Sequence, residues 1–105
     1  MLTLNIQLPE DKLVAFCQRW KVSELALFGS VLRDDFRPDS DIDVLITFAS
    51  DAKRGLLTLV KMKYELEDML GRKVDLVSKH AVETSHNWIR RNEILGTAQV
   101  IYVAR

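Results

Sequence analysis

Two aspartates, Asp41 and Asp43, flank Ile42 at the head of an apolar run, and a Gly29-Ser30 pair lies ten residues before them. A third acid, Asp75, interrupts the apolar stretch Val74-Asp75-Leu76-Val77. The Gly-Ser pair directly follows Leu25-Ala26-Leu27-Phe28, which makes it a turn at the end of a strand. Backbone N–H groups freed by such a turn hold phosphate oxygens. Paired carboxylates hold the magnesium that neutralises those oxygens. Both halves of a nucleoside-triphosphate site therefore lie close together in the chain.

Asp is poorly suited to strands, and acids at i and i+2 place like charges on one side, where they repel. A cation relieves Asp41, Asp43 and Asp75 together if the strand holding Asp75 lies beside the one holding the other two. This pattern suggests a two-metal phosphoryl- or nucleotidyl-transfer site, with ions about 3.5–4 Å apart. In that reading Asp41 and Asp43 bridge both metals. Asp75 completes the metal that activates the attacking hydroxyl and accepts its proton. Ser30 and the Gly29 turn hold the terminal phosphates, because a residue without Cβ lets backbone come close. Arg33 either reaches a phosphate or braces the loop by pairing with Asp39 or Asp41. Taken singly, a Gly-Ser is an ordinary turn and an Asp-X-Asp a solvated loop or helix cap. Their joint spacing with a third strand acid is what points to a site.

The elements that must position these residues follow from periodicity. Pro9-Glu10-Asp11 reads as a first helical turn, and Leu13, Val14, Cys17 and Trp20 continue it to about Trp20. Glu24–Phe28 is a short strand, and Arg33–Ser40, with Pro38, a short helix or loop. Ile42, Val44 and Ile46 alternate with Asp43 and Leu45 as in a two-faced strand. A long amphipathic helix is expected from about Lys53 to Leu70, with Leu56, Leu57, Val60, Tyr64 and Leu66 or Met69 toward the core and Gly71 ending it. Lys73–Val77 is a third strand, Glu83–Leu95 a last helix stopping near Gly96, and Val100–Val103 a closing strand. The order predicts an α/β fold: one mixed β-sheet, helices packed mainly on one face, and the acid-bearing face left open for a ligand.

Composition sets the frame. The 105 residues are enough for one domain, 1–105, and one core. Lys plus Arg equals Asp plus Glu, 15 each, so no overall field draws the chain to bulk nucleic acid or to a membrane. Nothing resembles a signal peptide or a membrane span, and a lone Cys17 excludes an internal disulfide, so a cytoplasmic protein is expected. Cys17 reads as a buried small hydrophobe. His80 and His86 lack the spacing of a zinc site, and Arg90 and Arg91 read as a solvated helix face. Trp20 and Trp88 read as core or partner-contact residues.

Gly29-Ser30, ten residues, Asp41-Ile42-Asp43 and a later strand Asp75 resemble the signature of the polymerase-β-type nucleotidyltransferase superfamily. The fuller string from Gly29-Ser30-Val31-Leu32-Arg33 through Ser40-Asp41-Ile42-Asp43-Val44, and the small size, are most similar to the minimal nucleotidyltransferases, the MntA-like antitoxins. The resemblance implies a nucleotidyltransferase-type fold, magnesium (two ions) and ATP as substrate, with AMP transferred and pyrophosphate released. It implies that Ser30 contacts the triphosphate, that Asp41 and Asp43 bind metal, and that Asp75 is a metal ligand or base. It also implies a partner, a HEPN-domain toxin neutralised by AMP on a tyrosine hydroxyl within a heterocomplex, as in a type VII-like toxin–antitoxin system. The chain shows no second domain to recognise an acceptor, which favours a protein acceptor over a small molecule. A reading from another class is a non-catalytic module that neutralises its partner by stoichiometric binding. A homo-oligomer is compatible with either.

Overall fold

In a computed structural model, residues 8–33, 36–52 and 55–104 are described. Helix α1 (Glu10–Trp20) starts after Pro9, with Glu10 and Asp11 in its first turn and Arg19 in its last, the charge order that suits the helix dipole. Lys21 ends it in the left-handed region at φ 56°. The chain then enters strand β1 (Val22–Phe28), and after a 3-10 turn (Gly29–Leu32) and a loop it returns as strand β2 (Ile42–Phe48). Helix α2 (Leu56–Leu70) crosses to strand β3 (Val74–Ser78), which lies parallel to β2. Helices α3 (Lys79–Glu83) and α4 (Trp88–Thr97) follow, and strand β4 (Gln99–Val103) closes the sheet in the order β3-β2-β1-β4. The β1–β2 and β1–β4 pairs are antiparallel, so the sheet is mixed as expected. A helical crossover is what a parallel neighbour requires.

Alternation along the strands sorts the core. Leu25 and Leu27 of β1 and Ile42, Val44 and Ile46 of β2 face Leu13, Phe16 and Cys17 of α1 and Met62 and Leu66 of α2. The other side of the same strands presents Ala26, Phe28 and Leu45, which pack with Val82 of α3 and Ile94 of α4. Asp43 lies in register with Leu45 on this second side, because strand side chains repeat every two residues. Burial pushes the Cys17 thiol up to about 12, so it behaves as the core hydrophobe expected.

The structure corrects three details. The first concerns α2, which begins at Leu56, the proposed start at Lys53 lying outside the described residues. Its Leu56, Leu57 and Tyr64 are 79%, 69% and 62% exposed, while Met62 and Leu66 are buried with Leu59, Met69 and Leu70 packed beside them. The helix carries two apolar stripes, and only the sheet decides which one is covered. Second, the expected helix Glu83–Leu95 starts later, as α4 at Trp88, and a separate short helix, α3, ends at Glu83 before it. Ser78 caps α3 by accepting from the Ala81 N–H at 3.1 Å, and Asn87 caps α4 by accepting from the Arg90 N–H at 3.2 Å. Third, α4 runs through Gly96 to Thr97. Truncation separates the two stripes of α2: Leu66→Ala is expected to cost about 2–5 kcal/mol in urea denaturation, and Leu57→Ala less than about 0.5 kcal/mol.

Candidate active site

Phe28, the last residue of β1, pairs with Asp43 across the antiparallel ladder, and Asp43 in turn pairs with Asp75 across the parallel one. This double register puts the end of β1 and two of the three predicted acids in one row. Directly after Phe28 the chain turns at Gly29 with φ +77°, a conformation that L side chains rarely adopt. A Cβ at Gly29 would collide with Asp43 Oδ2 and lie 3.0 Å from its Cγ. Glycine is thus required twice here, by backbone conformation and by the carboxylate that occupies its open side. The turn is pinned from below by the fully buried Val31 and closed by the Arg33 N–H donating to the Ser30 carbonyl at 2.9 Å. Ser30 remains half-buried at its surface.

The loop before Asp41 is held by the segment that leads into Asp75. Arg72 donates to the carbonyls of Arg37, at 3.0 Å, and Ser40, at 3.3 Å, and its guanidinium lies 4.5 Å over the Phe36 ring. The Ile42 N–H donates to the Lys73 carbonyl at 2.9 Å, which begins the β2–β3 ladder. Glu67, near the end of α2, accepts from Lys63 Nζ at 2.8 Å and from the Val74 N–H at 2.9 Å. Those bonds hold its carboxyl below the usual range, the Lys63 bond foremost. Arg72 and Glu67 therefore fix where Asp41 and Asp75 enter the site.

The three acids feel one another. Asp43 is half-buried and its carboxyl is pushed above the ordinary carboxylate range, by burial first and then by the charges of Asp75 and Asp41. Arg33 and Arg90 oppose that shift. Asp41 and Asp75 are exposed. Among the described residues no three acid, His or Cys side chains form a ready-made metal cage. Magnesium does not need one, since it usually takes one or two carboxylates together with phosphate oxygens and water. Hard carboxylate oxygens under mutual repulsion, beside a turn open to phosphate, fit that kind of ion. Asp41, Asp43 and Asp75 are the side chains that can hold it.

A cleft of about 1000 Å³ adjoins the acids at Gly29, running between Phe28, Gly29, Leu32 and Arg33 on one side and Arg90, Ile94 and Thr97 of α4 on the other. The acids are not part of its lining. The second sheet face is therefore not bare, as the sequence suggested. Ile94 and Val82 cover Ala26, Phe28 and Leu45, and the opening lies between α4 and the Gly29 turn. Enclosure of this size suits a small ligand. Arg90 is exposed, as expected of a solvated helix face, and it also lines this cleft. The Asn87 cap starts α4 and puts Arg90 one turn before the buried Ile94. Arg91 instead donates to the Ser85 carbonyl at 3.4 Å.

A family model described as the nucleotidyltransferase domain matches residues 11–101. A Methanocaldococcus jannaschii relative, named as a candidate protein adenylyltransferase, is 34% identical over 79 residues, which span 75% of this chain and 83% of its own. The protein adenylyltransferase MntA of Thermococcus cleftensis is 36% identical over 67 residues, 64% of this chain and 66% of its own. A solved structure of the tri-AMPylated HEPN toxin of Shewanella oneidensis in complex with an MNT antitoxin contains a similar chain, with a TM-score of 0.62 over 90% of this chain and 70% of that one. At 18% identity that likeness is one of fold. The chain belongs to the nucleotidyltransferase domain family, and these relatives within it are named as protein adenylyltransferases. Its mixed four-stranded sheet is the fold expected of that family.

The repulsion on Asp43 predicts a pH-dependent stability. An acid whose folded-state pKa is raised binds its proton more tightly when folded, so stability falls as pH rises from the ordinary carboxylate value through the raised one. Asp43→Asn removes that loss. The variant is expected to melt above the wild type at pH 7 in metal-free buffer, and the difference is expected to shrink below about pH 4. Thermal unfolding followed by circular dichroism at both pH values checks it.

Proposed function

We propose that this chain transfers AMP from ATP to a tyrosine hydroxyl of a HEPN-type toxin and neutralises that partner by doing so. The observation that carries the reading is the register Phe28–Asp43–Asp75, which sets two carboxylates beside a Gly29 turn already shaped around one of them. The names of the relatives support AMP as the transferred group. The fold shared with a chain from a complex of an AMPylated HEPN toxin and an MNT antitoxin supports the partner. Among the described residues no helix is long and apolar enough to cross a membrane. The cytoplasm, where ATP and such a partner meet, is the compartment proposed.

Gly29 and Ser30 bind the triphosphate through the turn's backbone and hydroxyl, and Arg33, on the cleft wall, binds a phosphate oxygen by a charge-assisted bond. Asp43 on β2, Asp41 immediately before that strand and Asp75 on β3 would hold magnesium, two ions in this reading. When bound, the metal supplies charge neutralisation for the triphosphate and acidifies the attacking hydroxyl. The acceptor oxygen forms its bond to the α-phosphorus while the bond to pyrophosphate breaks. Asp75, exposed at the rim, takes the proton released by the acceptor. Because Asp75 faces solvent, an acceptor side chain presented by another protein can approach it directly.

The test is the intact mass of the HEPN-type partner after incubation with a catalytic amount of this chain and magnesium-ATP. Mass steps of whole AMP units on the partner are expected, abolished by Asp41→Ala/Asp43→Ala. An unmodified partner that is silenced only at one-to-one stoichiometry overturns the transfer and establishes the binding module instead.

A further inference from the structure

The cleft beside the acids has two walls, and each carries an arginine. Arg33 follows the 3-10 turn, and Arg90 lies in the first turn of α4 on the opposite wall. Ile94, one turn further along α4, is buried against the side of the sheet that presents Phe28, and Phe28 itself leads into Gly29. The side of α4 that carries Arg90 is thereby held facing the turn. Its starting point is fixed by Asn87, whose side chain caps the Arg90 N–H at 3.2 Å. Among the described residues the Arg90 guanidinium has no hydrogen-bond acceptor and no ion-pair partner, although Glu93 stands one turn away. Its neighbour Arg91, by contrast, is already bonded to the Ser85 carbonyl.

We infer that Arg90 is a second phosphate-binding residue of the nucleotide cleft, gripping the terminal phosphates of a nucleoside triphosphate from the wall opposite Arg33. The inference rests on the nucleotide-transfer reading above and adds to it a residue on a separate element. Two arguments favour phosphate over other ligands. A guanidinium presents a planar fork of donors that matches phosphate oxygens, and Arg90 has no protein acceptor to satisfy that fork. Charge count points the same way. A triphosphate entering beside three acids needs cations from the protein as well as from solution, and the cleft lining supplies Arg33 and Arg90 against a single acid, Glu93. Arg90 lies on the wall across from the turn that would hold the phosphates. Negative charge develops on the departing pyrophosphate as the bond to the α-phosphorus breaks, so a donor held beside it favours release.

The test uses the whole chain and three probes, ATP, inorganic tripolyphosphate and AMP, each titrated by calorimetry with magnesium present. Wild type, Arg90→Ala, Arg90→Lys and Arg91→Ala are compared, with circular dichroism to verify folding. Arg90 is exposed, so its truncation removes no core contact. Arg90→Ala is expected to weaken ATP and tripolyphosphate by roughly tenfold or more, the usual effect of losing a charged hydrogen bond, and to leave AMP unchanged. Arg90→Lys is expected to restore part of the loss, and Arg91→Ala to show none. Wild type that binds ATP with Arg90→Ala binding it equally well overturns the role of Arg90 and leaves the transfer reading standing. A loss confined to AMP overturns it too, by placing Arg90 at the nucleoside. Wild type that binds neither ATP nor tripolyphosphate overturns this inference and the nucleotide reading together.

Discussion

Asp43 holds its carboxylate where an L side chain on residue 29 would have to be, with two other acids close enough to raise its pKa. That gathering of like charge is unfavourable for the empty protein, and much of the surrounding architecture exists to bear it. Gly29 leaves the space open. β2 and β3 run parallel in a register that sets Asp43 opposite Asp75, when a shift of one residue would have sent one of them into the core. Parallel pairing in turn requires the α2 crossover, and α2 is seated by Met62 and Leu66 in the principal core. The chemistry at the rim thus depends on packing on the other side of the sheet.

Two polar devices connect the layers. Arg72 ties the loop before Asp41 to the turn before Asp75, through two carbonyls and a ring. Glu67 anchors the first amide of β3 to α2 and draws its own stability from Lys63. Both set where Asp41 and Asp75 enter the site. Acids introduced into a site gain little unless their backbone is held against mutual repulsion, and here that holding is done by an arginine and a glutamate outside it.

The sequence made the sheet legible wherever alternation was clean. Ile42, Val44 and Ile46 on one side and Asp43 and Leu45 on the other announced β2 and its two faces, and the third acid on β3 pointed to the neighbour beside it. It misled where two solutions had equal periodicity. On α2 the Leu56, Leu57 and Tyr64 stripe competes with the Met62 and Leu66 stripe, and local pattern cannot say which one the sheet covers. The break between α3 and α4 was readable from Ser78 and Asn87 as caps but was obscured by the apolar residues beyond them. The cleft was not readable at all, because it arises from how Ile94 docks near Phe28, a tertiary fact. The place of Arg90 went with it: a basic residue on a solvated helix face is seen to line a cleft only once the facing wall is known.

In the proposed function the three acids share a cation with a triphosphate. The most direct measurement is a crystal structure with manganese and a non-hydrolysable ATP analogue, reading the anomalous signal of the metal. Metal density is expected within about 2–2.5 Å of carboxylate oxygens of Asp41 and Asp43, with Asp75 beside it and the phosphates against Gly29 and Ser30. Metal density away from those acids, with the nucleotide seated elsewhere on the chain, would contradict it.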